Sequence, residues 1–197
     1  MKNMQLRTWM FIAGLMLAMA ATRFNHFGSA FCLPDASWAV FFLGGLFLAR
    51  HTRISLAVFS LLLLQAGLMD AYVTTVQGVS DWCITPAYWF LIPTYGSLWL
   101  IGRWVTLRHA LEGRGLVWLA ASAWAANSFA FFLSNVSFYL VSGRVSEMSV
   151  TEYASRVSEY YVSYVFMSMF YIACAVGIHM ALAVASGSKA LPKSCVG

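Results

Sequence analysis

Cys83 is the residue of this sequence best suited to chemistry. It lies in the segment 80–86 (SDWCITP), which leads into an apolar stretch that starts at Ala87. Pro86 suits the first turn of a helix, because its missing N–H would have no partner there. A thiol next to a helix N-terminus has a stabilised thiolate, which is both a nucleophile and a soft metal ligand. We therefore treat Cys83 as a candidate catalytic and metal-ligating residue.

Asp70 is the acidic residue that stands out, because it directly follows the apolar run 61–69. An acid near or just below a membrane surface is costly, so a functional role is the default hypothesis. Arg156 is its expected partner, although this guanidinium would equally suit a ligand phosphate. Two simpler interpretations stay open: Asp70 is a hydrated acid at a helix end, and Arg156 is a solvated residue near Glu152 and Glu159.

The other cysteines and the histidines leave further options open. Cys32 is predicted on the same side of the membrane as Cys83, and a disulfide between them would staple two loops in a compartment that permits such bonds. Cys174 falls within an apolar span and is predicted to be a small buried residue. His26 is the only one of the four histidines expected on that side, and its spacing from Cys83 forms no zinc signature.

Transmembrane helices are the elements that must position these residues. Of the 197 residues, 61% are hydrophobic and only 10% are charged, whereas about a quarter of a soluble domain is charged. Lipid permits only helices or closed barrels as spanning elements, and the apolar runs do not alternate in polarity as barrel strands do. We predict an all-α integral membrane protein, a single bundle of six transmembrane helices over residues 1–197.

Six apolar stretches are the predicted spans: 8–21, 38–49, 54–72, 87–101, 116–141 and 160–185. The second is short, and its Gly44–Gly45 pair predicts close packing against a neighbouring helix. Pro93 in the fourth removes a backbone donor, which predicts a kink. The polar stretch 142–159 before the sixth span is long enough for a loop and a short helix.

The basic residues predict that both termini are cytoplasmic. When the connections alternate between the two sides, the inner side receives nine Lys and Arg residues and the outer side only three. The net charge of +5 is therefore a signal of topology and not evidence for nucleic acid. One alternative stays open, because Lys2, Arg7 and the segment 18–20 resemble a cleavable signal peptide, whose removal would leave five helices.

Aromatic residues crowd the predicted outer side, where Trp and Tyr also settle as an interfacial belt. The sharper interpretation is an outward-facing pocket with aromatic walls and a few polar groups, suited to a large, flat, partly polar ligand. The sequence contains no glycine-rich phosphate loop, no serine-hydrolase elbow and no zinc-protease motif. We therefore do not expect this chain to hydrolyse ATP by itself.

Three segments together resemble the BtuM family, small bacterial inner-membrane proteins predicted to transport cobalamin (vitamin B12): TRFNHFGSA at 22–30, LPDASWAVFFL at 33–43 and CITPAY at 83–88. Members of that family are similar in fold to the six-helix substrate-binding S components of energy-coupling factor (ECF) transporters. The resemblance implies an S-component-like protein of the bacterial inner membrane. Its partners would be cobalamin and the lipid bilayer, with or without an ECF-type ATPase module.

The resemblance also implies roles for individual residues. Cys83 corresponds to the family's axial ligand to cobalt. That thiolate can also displace the cyanide of cyanocobalamin, which would be an accessory activity in a protein that is primarily a transporter. By motif, His26, Asp70 and Tyr88 correspond to pocket residues of the family, and Arg156 corresponds by its place before the sixth helix. Burial of the corrin ring against aromatic side chains adds Trp82, Tyr160 and Tyr164, and Phe27 and Thr85 complete the set of residues expected to contact cobalamin.

Two other functions stay open at this point. Cys32 and Cys83 would also suit a membrane thiol–disulfide oxidoreductase with a quinone partner, and a Cys83 held in a disulfide could not bind cobalt. The small-residue spacing of Gly14 and Ala18 in the first span would suit a structural subunit of a larger membrane complex. The same spacing would suit an S component that docks on an energising module, so it does not discriminate between these functions.

Overall fold

The computed structural model describes residues 2–23, 34–78, 80–82 and 84–185. This part of the chain is all-helical, as predicted. Its six α-helices are α1 (Lys2–Arg23), α2 (Ser37–Phe47), α3 (Thr52–Thr75), α4 (Leu91–Arg108), α5 (Arg114–Val141) and α6 (Val150–Ala185). A short 3-10 helix, Pro86–Phe90, precedes α4. Among the described helices, α3, α5 and α6 are long and apolar enough to span a membrane, and a span at each of the others stays a prediction.

The short helix α2 lies at the centre of the bundle. Its 11 residues extend over about 16 Å, and nine of them are buried. Helices α1, α3, α4 and α6 all pack against it, and α5 packs against α4 and α6. A helix that is enclosed by neighbours is apolar all round, which is the composition of the segment SWAVFFLGGLF.

The contact between α2 and α4 depends on glycine. A Cβ atom on either residue of the Gly44–Gly45 pair would collide with the ring or the backbone of Trp99, and one on Gly102 would collide with the backbone of Phe42. Small residues permit this close approach of two helix backbones. The predicted close packing of the Gly44–Gly45 pair is therefore confirmed.

One local prediction, the burial of Cys174, is wrong, and the structure bears on two others. Helix α6 begins at Val150, so the polar stretch before the sixth span is the loop 142–149 followed by the first turns of one continuous helix, about 54 Å long. Cys174, predicted to be buried, is exposed on α6. Pro93 is the third residue of α4, where a missing N–H costs no hydrogen bond within that helix, and the kink stays a prediction.

The connections between helices lie at two opposite ends of the bundle. Helices α1, α3 and α5 end at what we call the Arg23 end, where α2 and α6 begin. Helices α2 and α4 end at what we call the Arg103 end, where α3 and α5 begin. The Arg23 end is the predicted outer side of the protein, and the expected cobalamin-contacting residues in the described part of the chain lie towards it.

Candidate ligand site at the Arg23 end

The side chain of Arg23 is the centre of a buried polar network. Arg23 is the last residue of α1, and only 7% of its surface is exposed. Its Nε donates to Asp70 Oδ1 at 2.7 Å and its Nη2 donates to Asp70 Oδ2 at 2.5 Å. This is the bidentate geometry in which guanidinium and carboxylate interact most strongly.

The remaining guanidinium nitrogen of Arg23 reaches α2 and α4. Its Nη1 donates to Ser37 Oγ and to the hydroxyl of Tyr95, both at 2.9 Å. The same nitrogen lies 3.7 Å from Asp35 Oδ2, while Asp35 Oδ1 accepts hydrogen bonds from the backbone N–H and the hydroxyl of Ser37. One guanidinium thus joins the ends of α1, α2 and α3 to the first turns of α4.

Tyr88 completes this set, which we call the Arg23 network: Arg23, Asp35, Ser37, Asp70, Tyr88 and Tyr95. The hydroxyl of Tyr88 donates to Asp70 Oδ2 at 2.7 Å. Tyr88 is held there by the 3-10 helix, in which Pro86 occupies the first turn and the Thr85 side chain accepts from the backbone N–H of Ala87. The structure therefore brings together Asp70 and Tyr88, two of the expected cobalamin-contacting residues, with Thr85 close by in the chain.

The expected pairing of Asp70 with Arg156 is wrong. Arg156 Nη2 instead donates to Glu152 Oε1 at 2.9 Å, one helical turn away on α6. Both of these side chains are exposed, so the pair corresponds to the solvated residue that the sequence left as an alternative. The reason is that α6 extends through this region as a regular helix, which places Arg156 on its exposed face.

Aromatic side chains form a second group, between α2, α5 and α6. The ring of Trp38 lies 5.7 Å from that of Tyr164 and 6.4 Å from that of Phe131. Tyr161 packs edge-on against Phe131, and its hydroxyl is hydrogen-bonded to Ser128 on α5 at 2.7 Å. Of the tyrosines expected at the pocket, Tyr164 belongs to this group.

Tyr160 and Trp82 are the most exposed of the aromatic residues in the described part of the expected site. Tyr160 is 59% exposed and Trp82 is 49% exposed. Trp82 lies under the guanidinium of Arg144, whose central carbon is 5.3 Å from the ring centroid. Arg144 also faces Asp81 Oδ1 at 3.5 Å, so the loop between α5 and α6 contacts the segment that leads to Cys83.

Four residues with predicted roles lie outside the described residues: His26, Phe27, Cys32 and Cys83. Over the part that is described, no three His, Cys, Asp or Glu side chains come together as a metal site. A ligand whose cobalt is bound by a single thiolate does not require such a group. The roles expected of these four residues therefore stay predictions.

The sequence patterns single out neither Arg23 nor Tyr95, although a signal for Arg23 exists. Two oppositely charged residues, Arg23 and Asp70, lie near the ends of the first and third predicted spans. Both spans are predicted to end on the same side of the membrane, so their charges can meet if the two helices are neighbours. Tyr95 carries no such signal, because a tyrosine within an apolar span is also an ordinary packing residue.

No family model matches the chain, and no curated protein is significantly similar to it. The resemblance to the BtuM family therefore rests on the motifs quoted above.

Proposed function

We propose that the chain binds cobalamin in a pocket at the Arg23 end and carries it across the bacterial inner membrane, with the Cys83 thiolate as an axial ligand to cobalt. The observation that carries this proposal is the hydrogen bond from Tyr88 to Asp70. It joins two of the expected pocket residues, and one of them, Tyr88, follows Cys83 by five positions in the sequence.

Asp70 retains capacity for a ligand although it is already hydrogen-bonded. An ionised carboxylate offers about four acceptor positions. Arg23 Nε, Arg23 Nη2 and the Tyr88 hydroxyl occupy three of them. The remaining position suits an N–H donor, such as an amide arm of the corrin ring, and the network holds the carboxylate in a fixed orientation for it.

The exposed aromatic residues supply surface for the flat faces of the corrin ring. Trp82, Tyr160 and Tyr164 are all more than two-fifths exposed. Each bulky contact of this kind would add about 1 kcal/mol beyond the area that it buries. The exposed guanidinium of Arg156 suits the phosphate of the nucleotide arm, since it can exchange Glu152 for a second anion.

The bond to cobalt is a ligand exchange without a change of oxidation state. The Cys83 thiolate donates the electron pair of a Co–S bond on the face that the nucleotide base normally holds, and the base departs with its own pair. The cargo is therefore bound base-off. In the accessory exchange on cyanocobalamin, cyanide leaves the opposite face with the electron pair of its bond to Co(III), and a water molecule from the solvent takes its position, so the oxidation state is again unchanged.

The visible spectrum of the purified protein tests this proposal. Cells that express wild type, Cys83→Ala or Cys174→Ala are fed cyanocobalamin, and the protein is purified in detergent. We expect stoichiometric corrinoid with a shifted base-off spectrum for wild type. Cys174→Ala is the matched control, because this exposed thiol lies on α6, and it should behave like wild type.

Loss of the shifted spectrum in Cys83→Ala alone would support thiolate ligation. Colourless wild-type protein would refute cobalamin binding, and a shifted spectrum that survives in Cys83→Ala would refute the role of this thiol. Mass analysis of wild type without reductant then distinguishes the oxidoreductase alternative, because a Cys32–Cys83 disulfide lowers the mass by two hydrogens.

A further inference from the structure

Arginine side chains differ in their ion-pair partners at the two ends of the bundle. At the Arg23 end, each described arginine faces a carboxylate: Arg23 faces Asp70, Arg144 faces Asp81 and Arg156 faces Glu152. At the Arg103 end, four arginines have no carboxylate within ion-pair distance among the described residues: Arg53, Arg103, Arg108 and Arg114. This end therefore carries positive charge that the described chain does not neutralise.

One of these arginines lines an open depression, and a second contacts another of its lining residues. His51, Thr52, Arg53 and Ile54 line a concave surface of about 340 Å³ at the connection between α2 and α3. Arg103 reaches the same place from α4, because its Nη2 donates to Thr52 Oγ1 at 3.1 Å. Arginines from two different helices, one of them hydrogen-bonded to Thr52 next to the other in the chain, are a donor set for a phosphate.

Tryptophan residues place this end at the level of lipid headgroups. Trp104, next to Arg103 in the chain, is 45% exposed, and Trp118 on α5 is 52% exposed. The His109 ring is stacked almost parallel on Trp118 at 5.2 Å and contacts Trp104 edge-on at 5.6 Å. Exposed tryptophans that flank apolar spans settle at the membrane–water interface, so an anion that reaches the depression would do so from the membrane surface.

We propose that Arg53 and Arg103 bind the phosphate of an anionic phospholipid of the phosphatidylglycerol class, with its headgroup in the depression and its acyl chains along α3 and α4. The zwitterionic headgroup of phosphatidylcholine has no net charge and would leave the charge of the two arginines unneutralised. An anionic lipid would neutralise it. The binding site is distinct from the proposed cobalamin pocket, and it does not depend on that function.

Lipid titration of the purified protein tests the site. Wild type, Arg53→Gln/Arg103→Gln and Arg144→Gln/Arg156→Gln are purified in neutral detergent, and binding of phosphatidylglycerol and phosphatidylcholine is counted by native mass spectrometry. The second double variant loses the same charge at the opposite end and serves as the control. Because each basic contact with an anionic membrane contributes about 1 kcal/mol, we expect the first variant, which loses two, to bind phosphatidylglycerol roughly thirtyfold more weakly.

Soluble sn-glycerol 3-phosphate, present in excess, separates a lipid site from a free phosphate site. Weak competition by this headgroup analogue is expected, since it lacks acyl chains. Full competition would overturn the assignment to a lipid, as would equal binding of phosphatidylcholine or equal losses in the two double variants. If Arg53→Gln/Arg103→Gln does not fold, Arg53→Lys/Arg103→Lys keeps the charge without the bidentate geometry and should bind with intermediate affinity.

Discussion

At the scale of single residues, Arg23 organises one end of the bundle. Its guanidinium donates to Asp70, Ser37 and Tyr95 from almost complete burial. A buried ion pair contributes little net stability compared with apolar residues in its place, but the loss of one partner leaves the other charge uncompensated. The main effect of the Arg23 network is therefore to orient side chains, because it holds the carboxylate of Asp70 and the ring of Tyr88 in one arrangement.

We expect Arg23→Met to lower the free energy of unfolding by about 3–5 kcal/mol, because the Asp70 carboxylate would lose its countercharge. Thermal unfolding in detergent, followed by tryptophan fluorescence, measures the change. The double variant Arg23→Met/Asp70→Met should recover most of the loss. Arg156→Met removes an exposed pair and should cost at most about 1 kcal/mol, so equal losses in the two single variants would contradict the role of Arg23.

At the scale of elements, the contact between α2 and α4 determines the architecture. Helix α2 is the shortest of the described α-helices and is buried by its neighbours. Its glycines let the backbone of α4 approach closely at Trp99. Trp99 is fixed in turn by its Nε1, which donates to Ser55 Oγ on α3 at 3.1 Å. The three helices therefore form one packed unit, and the first turns of α4 deliver Tyr95 to the Arg23 network.

We expect Gly45→Ala to destabilise the protein by about 1–3 kcal/mol, because the added methyl group collides with the backbone of Trp99. Gly14→Ala in α1 is the matched control, since nothing lies within 4 Å of the added atom. That substitution should be neutral or stabilising by about 0.5–1 kcal/mol, as alanine favours a helix. Chemical denaturation compares the two variants, and a greater loss for Gly14→Ala would show that the packing is misassigned.

At the scale of the whole molecule, the charges give the bundle a direction. The described residues at the Arg23 end carry acids as well as arginines, whereas Glu112 is the single acid in the described part of the Arg103 end. The positive-inside bias predicts that the Arg103 end faces the cytoplasm. The proposed pocket then faces the periplasm, and the proposed lipid site faces the inner leaflet.

Labelling of engineered cysteines tests this orientation. The four native cysteines are replaced by serine, and Glu147→Cys or Glu112→Cys is added, since both residues are exposed in loops at opposite ends. In intact spheroplasts, a membrane-impermeant maleimide should label Glu147→Cys and leave Glu112→Cys unlabelled until the membrane is lysed. Labelling of Glu112→Cys before lysis would reverse the orientation and move the proposed pocket to the cytoplasmic side.

The amino-acid sequence by itself determined that the described chain consists of six helices, with the Gly44–Gly45 pair at a close helix contact and Pro86 at a first turn. These features depend on composition and on neighbours in the chain, which a sequence displays directly. The sequence also singled out Asp70 by its place at the end of an apolar run, and its role towards a ligand is still a prediction.

Only the tertiary structure decided which charges and faces meet. Asp70 pairs with Arg23, 47 residues away, and not with Arg156, because such a pairing depends on which helix ends are neighbours and how each helix is rotated. Cys174 is exposed for the same reason. Successive side chains of a helix point about 100° apart, so a small rotation of α6 about its axis decides whether a given residue faces the bundle or its surroundings. The pattern of apolar residues in the sequence indicates that a segment is an apolar helix. Which neighbouring helix each of its faces contacts is decided by the packing of the whole bundle.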